Sequence, residues 1–171
     1  IEGWAFSDCT SLAEVVIPDG VVEISQNAFL AVTTMRSVSI PNTVRVVGAA
    51  AFKNCTGLSS IEFSDNITSI DDSVCSGCSK LSSVRLPASL KAIGASWFEN
   101  CSSLETVTIP GGVISIGASA FKNCESMTGV EFPAVLSSIE GSAFAGCLGL
   151  KRVDIPSAVT NIGSSAFYNC Y

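Results

Sequence analysis

The chain has 171 residues, 47% of them apolar and only 14% charged, with a net charge of −6, eight cysteines and no histidine. The apolar content excludes disorder, and the acidic balance argues against nucleic acid, which is held by Lys and Arg that displace counterions, and against an anionic membrane surface. No apolar run approaches the roughly 18 residues of a spanning helix, so direct membrane insertion is not expected.

The chain repeats itself every 23 residues without insertion: Phe6, Phe29, Phe52, Phe98, Phe121, Phe144 and Phe167 share one register, with Cys75 filling the gap. A second column holds Cys9, Val32, Cys55, Cys78, Cys101, Cys124, Cys147 and Cys170. A fixed period of this size marks a stack of units, each too small to bury its own apolar face. Residues 1–171 are therefore read as one array of about seven repeats. Ile1 already stands in the slot of Ile24, Val47 and Ile70, and neither end carries a polar cap, so the array is expected to belong to a longer protein.

Within a unit, the first element in chain order is the segment after the Cys column, as in Leu104-x-x-Val107-x-Ile109. Its alternation and β-branching predict a short strand with one buried face. Pro18, Pro41, Pro87, Pro110, Pro133 and Pro156 follow it, with Ser64 in the remaining slot. Proline gives no N–H to a ladder and ends pairing at the same level in each unit. A second extended piece follows, such as Val113-x-x-Ile116, and then Gly48, Gly94, Gly117 or Gly163. Ser25, Asp71 and Glu140 share that slot, so a left-handed φ is not required there.

One helical turn is expected next, as in Ala118-Ser119-Ala120-Phe121, with its apolar side chains plugging the interior. Before the Cys column stand Asp8, Asn54, Gly77, Asn100, Asn123, Gly146 and Asn169, types that tolerate the left-handed conformation ending such a turn. Ala31 is the exception and precedes Val32, so a locally different turn is expected in that unit.

The tandem Leu-x-x-Val-x-Ile-Pro-x-x-Val-x-x-Ile-Gly-x-x-Ala-Phe-x-x-Cys resembles the BspA-like, treponemal-type leucine-rich repeats over the whole chain. The resemblance implies an α/β class fold of mostly short parallel strands with little helix, wound as a right-handed solenoid with a concave sheet. It also implies a cell-surface or secreted location and a role in adhesion and binding of protein partners. A structural scaffold within a larger complex is the competing reading, favoured by the uncapped ends.

The core is assigned to Phe29, Phe52, Phe98, Phe121, Phe144 and Phe167, with Cys55, Cys101, Cys124 and Cys147 as buried reduced thiols. Equivalent side chains in a stack point the same way, whereas a disulfide needs converging Cβ vectors. The lone CxxC, Cys75 to Cys78, has neither a second pair nor a histidine, so no metal is expected. Trp97 stands where alanine is usual, and we expect it to fill part of the volume lost when Cys75 replaced phenylalanine.

Without histidine the Ser-His and Cys-His nucleophile arrangements are unavailable, no phosphate loop follows a strand, and neither catalysis nor a cofactor is expected. The exposed strand positions are dominated by serine and threonine, and the candidate binding residues on that face are Glu62, Arg85, Glu105, Thr106, Thr108, Glu131, Arg152 and Asp154. Glu62 and Arg85 are expected to be cross-strand neighbours. Glu131 and Asp154 are expected to repel unless Arg152 leans between them. Asn54, Asn66 and Asn100 begin Asn-x-Ser/Thr sequons, acceptors of N-glycans in a secreted eukaryotic chain.

Overall fold

A computed structural model describes Ile1–Tyr171 as a stack of coils in which every paired residue meets its equivalent 23 positions on. The first strands of four successive coils, β1 (Val15–Val16), β3 (Ser37–Ser39), β5 (Ser60–Glu62) and β7 (Ser83–Arg85), form a parallel sheet in that order. The second strands form two further parallel sheets. One holds β2 (Glu23–Ile24), β4 (Val46–Val47) and β6 (Ser69–Ile70); the other runs through β8 (Ala92–Ile93), β9 (Ser115–Ile116), β10 (Ser138–Ile139) and β11 (Asn161–Ile162). There is no helix, so the expected α/β class is corrected to an all-strand solenoid.

The segment expected to make a helical turn is a run of reverse turns instead. Two left-handed residues per coil prevent a helix from starting. Ser119 (φ 56) and Asn123 (φ 59) show the pattern, and each coil repeats it. Three-residue closures such as Ala120 N–H to Gly117 O (3.2 Å) and Cys124 N–H to Phe121 O (3.2 Å) build the turns. A left-handed third residue is what a type II turn demands. Alternate residues also donate into the next coil: Ser119 to Gly141 (3.0 Å), Phe121 to Ala143 (2.8 Å) and Asn123 to Ala145 (2.7 Å). Bonds made on both sides hold non-glycine residues in a conformation that otherwise costs about 1–2 kcal/mol each.

The column before the cysteines is left-handed in every coil, as its Asn, Asp and Gly content implied. Ala31 shares it at φ 57, which corrects the expectation of a different turn there. The bonds from Asp8 N–H to Leu30 O and from Ala31 N–H to Lys53 O, both 2.8 Å, fix the turn whatever the side chain. Glycine at the end of the second strand serves close approach, not φ: a Cβ on Gly48 would stand 2.6 Å from the Gln26 backbone nitrogen, and one on Gly117 2.7 Å from that of Ala95.

Inside the stack the phenylalanines lie face to face. Ring centroids are 5.1 Å apart for Phe6–Phe29, 5.3 Å for Phe29–Phe52, 5.2 Å for Phe121–Phe144 and 5.3 Å for Phe144–Phe167. Phe29, Phe52, Phe98, Phe121 and Phe144 are fully buried, and Phe167 is half-buried. The cysteines are free, and those at 55, 75, 78, 101, 124 and 147 are buried. From Cys55 on, each thiol in the Cys column reaches back one coil to a carbonyl, as Cys55 to Phe29 (3.0 Å), Cys78 to Phe52 (3.1 Å), Cys124 to Phe98 (3.2 Å) and Cys147 to Phe121 (3.1 Å). The column thus contributes a weak hydrogen bond as well as volume.

The ring stacking is interrupted where Cys75 breaks the phenylalanine column. β6 and β8 are not paired, and a cleft of about 260 Å³ lined by Ile67, Ile70, Leu90, Ala92 and Trp97 opens between them. The Trp97 indole lies in the core, 2% exposed and edge-on to Phe98 at 6.2 Å. Its nitrogen presses on Gly94, leaving no room for a Cβ there, and has no hydrogen-bond partner. The indole therefore wedges the side of the second strands, while the turns beside it stay bonded through Cys75 N–H to Trp97 O (2.9 Å).

The first-strand segment also loses its pairing beyond β7. The predicted strand Leu104–Ile109 is corrected to an extended segment with a single bridge, Thr108 to Glu131. A cleft of about 280 Å³ separates Val84 and Leu86 from Thr108 and Pro110. In the following coil Gly129 takes the slot of Ser60, Ser83 and Thr106; glycine weakens a strand interior.

Two outcomes follow. Trp97→Ala is expected to cost about 3–5 kcal/mol in chemical denaturation; a cost below about 1 kcal/mol would mean the seam simply closes onto the alanine found in neighbouring coils. Burial raises the thiols of Cys55, Cys101 and Cys124, and pushes Cys147 from 9.0 up to about 12. The folded state thus holds protons that the unfolded state releases. Stability should be intact below pH 9 and decline above it; the Cys147 thiol accounts for about 1.4 kcal/mol per pH unit between pH 9 and about 12, and the other raised thiols act in the same direction. Cys147→Val should flatten that decline in pH-dependent denaturation, and an identical slope in the variant would contradict it.

Candidate protein-docking face

Because side chains alternate along an extended segment, each first-strand segment turns one set inward and the other to solvent. Val38 and Ile61 are buried, while Ser37, Ser39 and Glu62 on the same strands are exposed. Proline after the segment ends the row at one level, so the exposed side chains of successive coils share a face. Two large depressions lie on it.

The larger, about 670 Å³, gathers Thr106, Thr108, Glu131, Arg152 and Asp154 over a floor that includes Val107 and Phe132. Five of the eight candidate residues are thus brought together. The Arg152 guanidinium donates to Asp154 at 2.9 Å, and this carboxylate holds the guanidinium pKa above its usual value. Both side chains are about four-fifths exposed, so the pair contributes little to stability. Arg152 therefore neutralises Asp154, two residues on in the same segment, leaving Glu131 without an ion-pair partner.

The other depression, about 560 Å³, lies over the first four coils and includes Glu14, Asp19, Ser39, Glu62, Ser64 and Arg85 among its lining. Glu62 and Arg85 are register partners on β5 and β7, as expected. The ion pair nonetheless goes elsewhere: Arg85 Nη2 donates to Asp65 Oδ2 at 2.6 Å, and its Nη1 to Phe63 O at 2.8 Å. Asp65 Oδ1 accepts the Ala88 amide at 2.8 Å. That amide, then Arg85, holds the Asp65 carboxyl below the usual carboxylate range. Asp65 wins because it receives a backbone N–H and a guanidinium together, whereas Glu62 offers only the side-chain contact. Glu105 is exposed but lines neither depression.

Some of the hydroxyls are structural. Ser59 and Ser82 donate to the carbonyls of Arg36 and Ser59, at 3.0 and 3.3 Å, tying each coil to the one before. Thr68, Ser137 and Thr160 do the same beside the second strands. Glu14, Asp19 and Ser64 were missed as face residues. A serine in the proline column was the available signal for Ser64, and Glu14 and Asp19 flank the first strand without any motif to mark them.

The three sequon asparagines are exposed. Asn66 donates to Asn42 O (3.1 Å), Asn100 accepts from Asn123 (2.8 Å), and the Asn54 amide lies where a Cβ on Gly77 would have to stand.

Similar proteins show the same architecture. The leucine-rich repeat protein of T. pallidum is 34% identical, with a TM-score of 0.86 over 92% of this chain and 76% of that one. A leucine-rich repeat protein of Eubacterium ventriosum is 21% identical, with a TM-score of 0.76 over 99% of this chain and 56% of that one. A third, from Bacteroides ovatus, is 18% identical, with a TM-score of 0.64 over 98% of this chain and 73% of that one. No curated protein matches. The BspA type leucine rich repeat region matches in six copies, over residues 1–105 and 91–171. With its period, its phenylalanine and thiol columns and its coil-on-coil register, the chain belongs to the BspA-type leucine-rich repeat family.

Proposed function

We propose that this array is a non-enzymatic protein-interaction or adhesion module, working at a cell surface or outside the cell through its first-strand face. In this reading the coil is right-handed and that face is its concave side. One observation carries the proposal: Thr106, Thr108, Glu131, Arg152 and Asp154, chosen as exposed strand positions, line a single depression. Its two acids and one base, set among small hydroxyls over an apolar floor, suit a partner bound through polar contacts at a rim with a modest apolar centre. Trp, the strongest anchor type, is absent from the lining, so affinity depends on charge matching more than on buried aromatic anchors.

A scaffold role is the second reading, favoured by exposed apolar side chains beside the second strands such as Val22 and Ile114, 61% and 50% exposed. Their column otherwise holds Arg45, Thr68, Lys91, Ser137 and Thr160, so permanent packing of that flank would rest on isolated apolar contacts among polar ones.

Neutralising the charged side chains together (Glu105→Gln, Glu131→Gln, Arg152→Gln, Asp154→Asn) separates the two. Docking predicts an unchanged thermal midpoint with at least roughly tenfold weaker partner binding, a loss of about 1.4 kcal/mol. Unaltered assembly with reduced solubility would overturn docking in favour of the scaffold.

A further inference from the structure

The slot that closes each first-strand segment is proline in six coils and Ser64 in the third. Proline has no N–H to satisfy. Ser64 brings an amide and a hydroxyl, yet the amide makes no backbone hydrogen bond and the hydroxyl is buried without any partner, in a residue only 7% exposed. Buried polar atoms are almost always bonded, so this unpartnered hydroxyl is open to a partner that the chain itself does not supply.

Ser64 lines the depression over the first four coils, together with Glu14, Asp19 and Glu62. None of these three carboxylates has an ion-pair partner. Arg85, the one cation there, is already committed to Asp65 and to Phe63 O. A groove walled by carboxylates over an apolar floor focuses negative potential, the more so in a chain of net charge −6. The acids do not converge closely enough to hold a metal ion, so an elongated cation fits them better than a compact one. Val15, Ile17 and Ile40 supply apolar surface for a long aliphatic stem.

We propose that this groove seats a lysine- or arginine-bearing extended segment of a partner protein. The cationic heads lie among Glu14, Asp19 and Glu62, and rotation of the Ser64 side chain about its Cα–Cβ bond brings its buried, unpartnered oxygen out to accept an N–H from the segment. The Ser64 amide donates to one of the segment's carbonyls. This assignment rests on the reading of the first-strand face as a docking surface and gives one end of it a chemical preference.

The test is an amide-resolved NMR titration of the chain with a short blocked peptide of glycine, lysine and arginine, and with its glycine–glutamate counterpart. The cationic peptide should shift the Ser39, Glu62 and Ser64 amides saturably, and the acidic one should not. Glu14→Gln with Glu62→Gln, or a rise to physiological salt, should weaken binding roughly tenfold. Ser64→Ala, or Ser64→Pro as in the other coils, should weaken it roughly threefold. Equal shifts with both peptides, or indifference to these substitutions, would overturn the proposal. If the groove fails this test while neutralising Glu105, Glu131, Arg152 and Asp154 still releases a native partner, the docking face stands and only the groove assignment falls. If both fail, the docking reading falls too.

Discussion

Turns that close on themselves while donating into the next coil are the constraint on which the rest of this fold depends. The Asn123 amide reaches Ala145 O and the next amide, Cys124, closes the turn onto Phe121 O, so one turn fixes both the shape of a coil and its register on its neighbour, with the Cys124 thiol adding a weak bond to Phe98 O. The phenylalanine column stacks at 5.1–5.5 Å between adjacent coils because that register is kept. The short strands inherit their alignment from this side of the coil. Where pairing of the second strands lapses between β6 and β8, the turns remain bonded and the stack continues.

That division of labour frees the first-strand face from carrying the stability of the coil. Its side chains can vary from coil to coil without breaking the stack, and they do: Glu62, Arg85, Thr108, Glu131 and Asp154 occupy one column. The result is a regular frame with an irregular charge pattern along it, divided into an acidic groove over the early coils and a mixed-charge depression over the later ones. Proline supplies the boundary of that face in six coils; the one serine leaves an unmet hydrogen-bonding group inside the groove.

Much of the architecture was legible in the sequence because a strict period converts residue identity into position. The buried phenylalanines and thiols, the strand with its proline stop and the left-handed column before the cysteines could all be read from it. Three features could not. The second left-handed column holds Ser73, Ser96, Ser119, Ser142 and Ser165 with Ala50, Trp4 and a single asparagine, Asn27, mostly residue types that do not announce that conformation, so a run of turns reads as a helical turn. Ala31 shows that a turn held from both sides overrides local preference. Asp65, lying past the strand, takes Arg85 away from Glu62 because a backbone amide adds to the pull, and a strand-alternation argument contains no such group. Of the face residues, five fell into one depression because equal register places them there, while Ser64 was visible only as a departure from proline.

Residue-resolved hydrogen exchange tests the central claim most directly. If turn-to-turn bonding holds the coils in register, the amides of Phe29, Phe52, Phe121 and Asn123 should be the slowest to exchange, and those of Lys91 and Gly94 at the unpaired seam should exchange fast. Rapid exchange throughout the turns, with protection confined to the short strands, would contradict it.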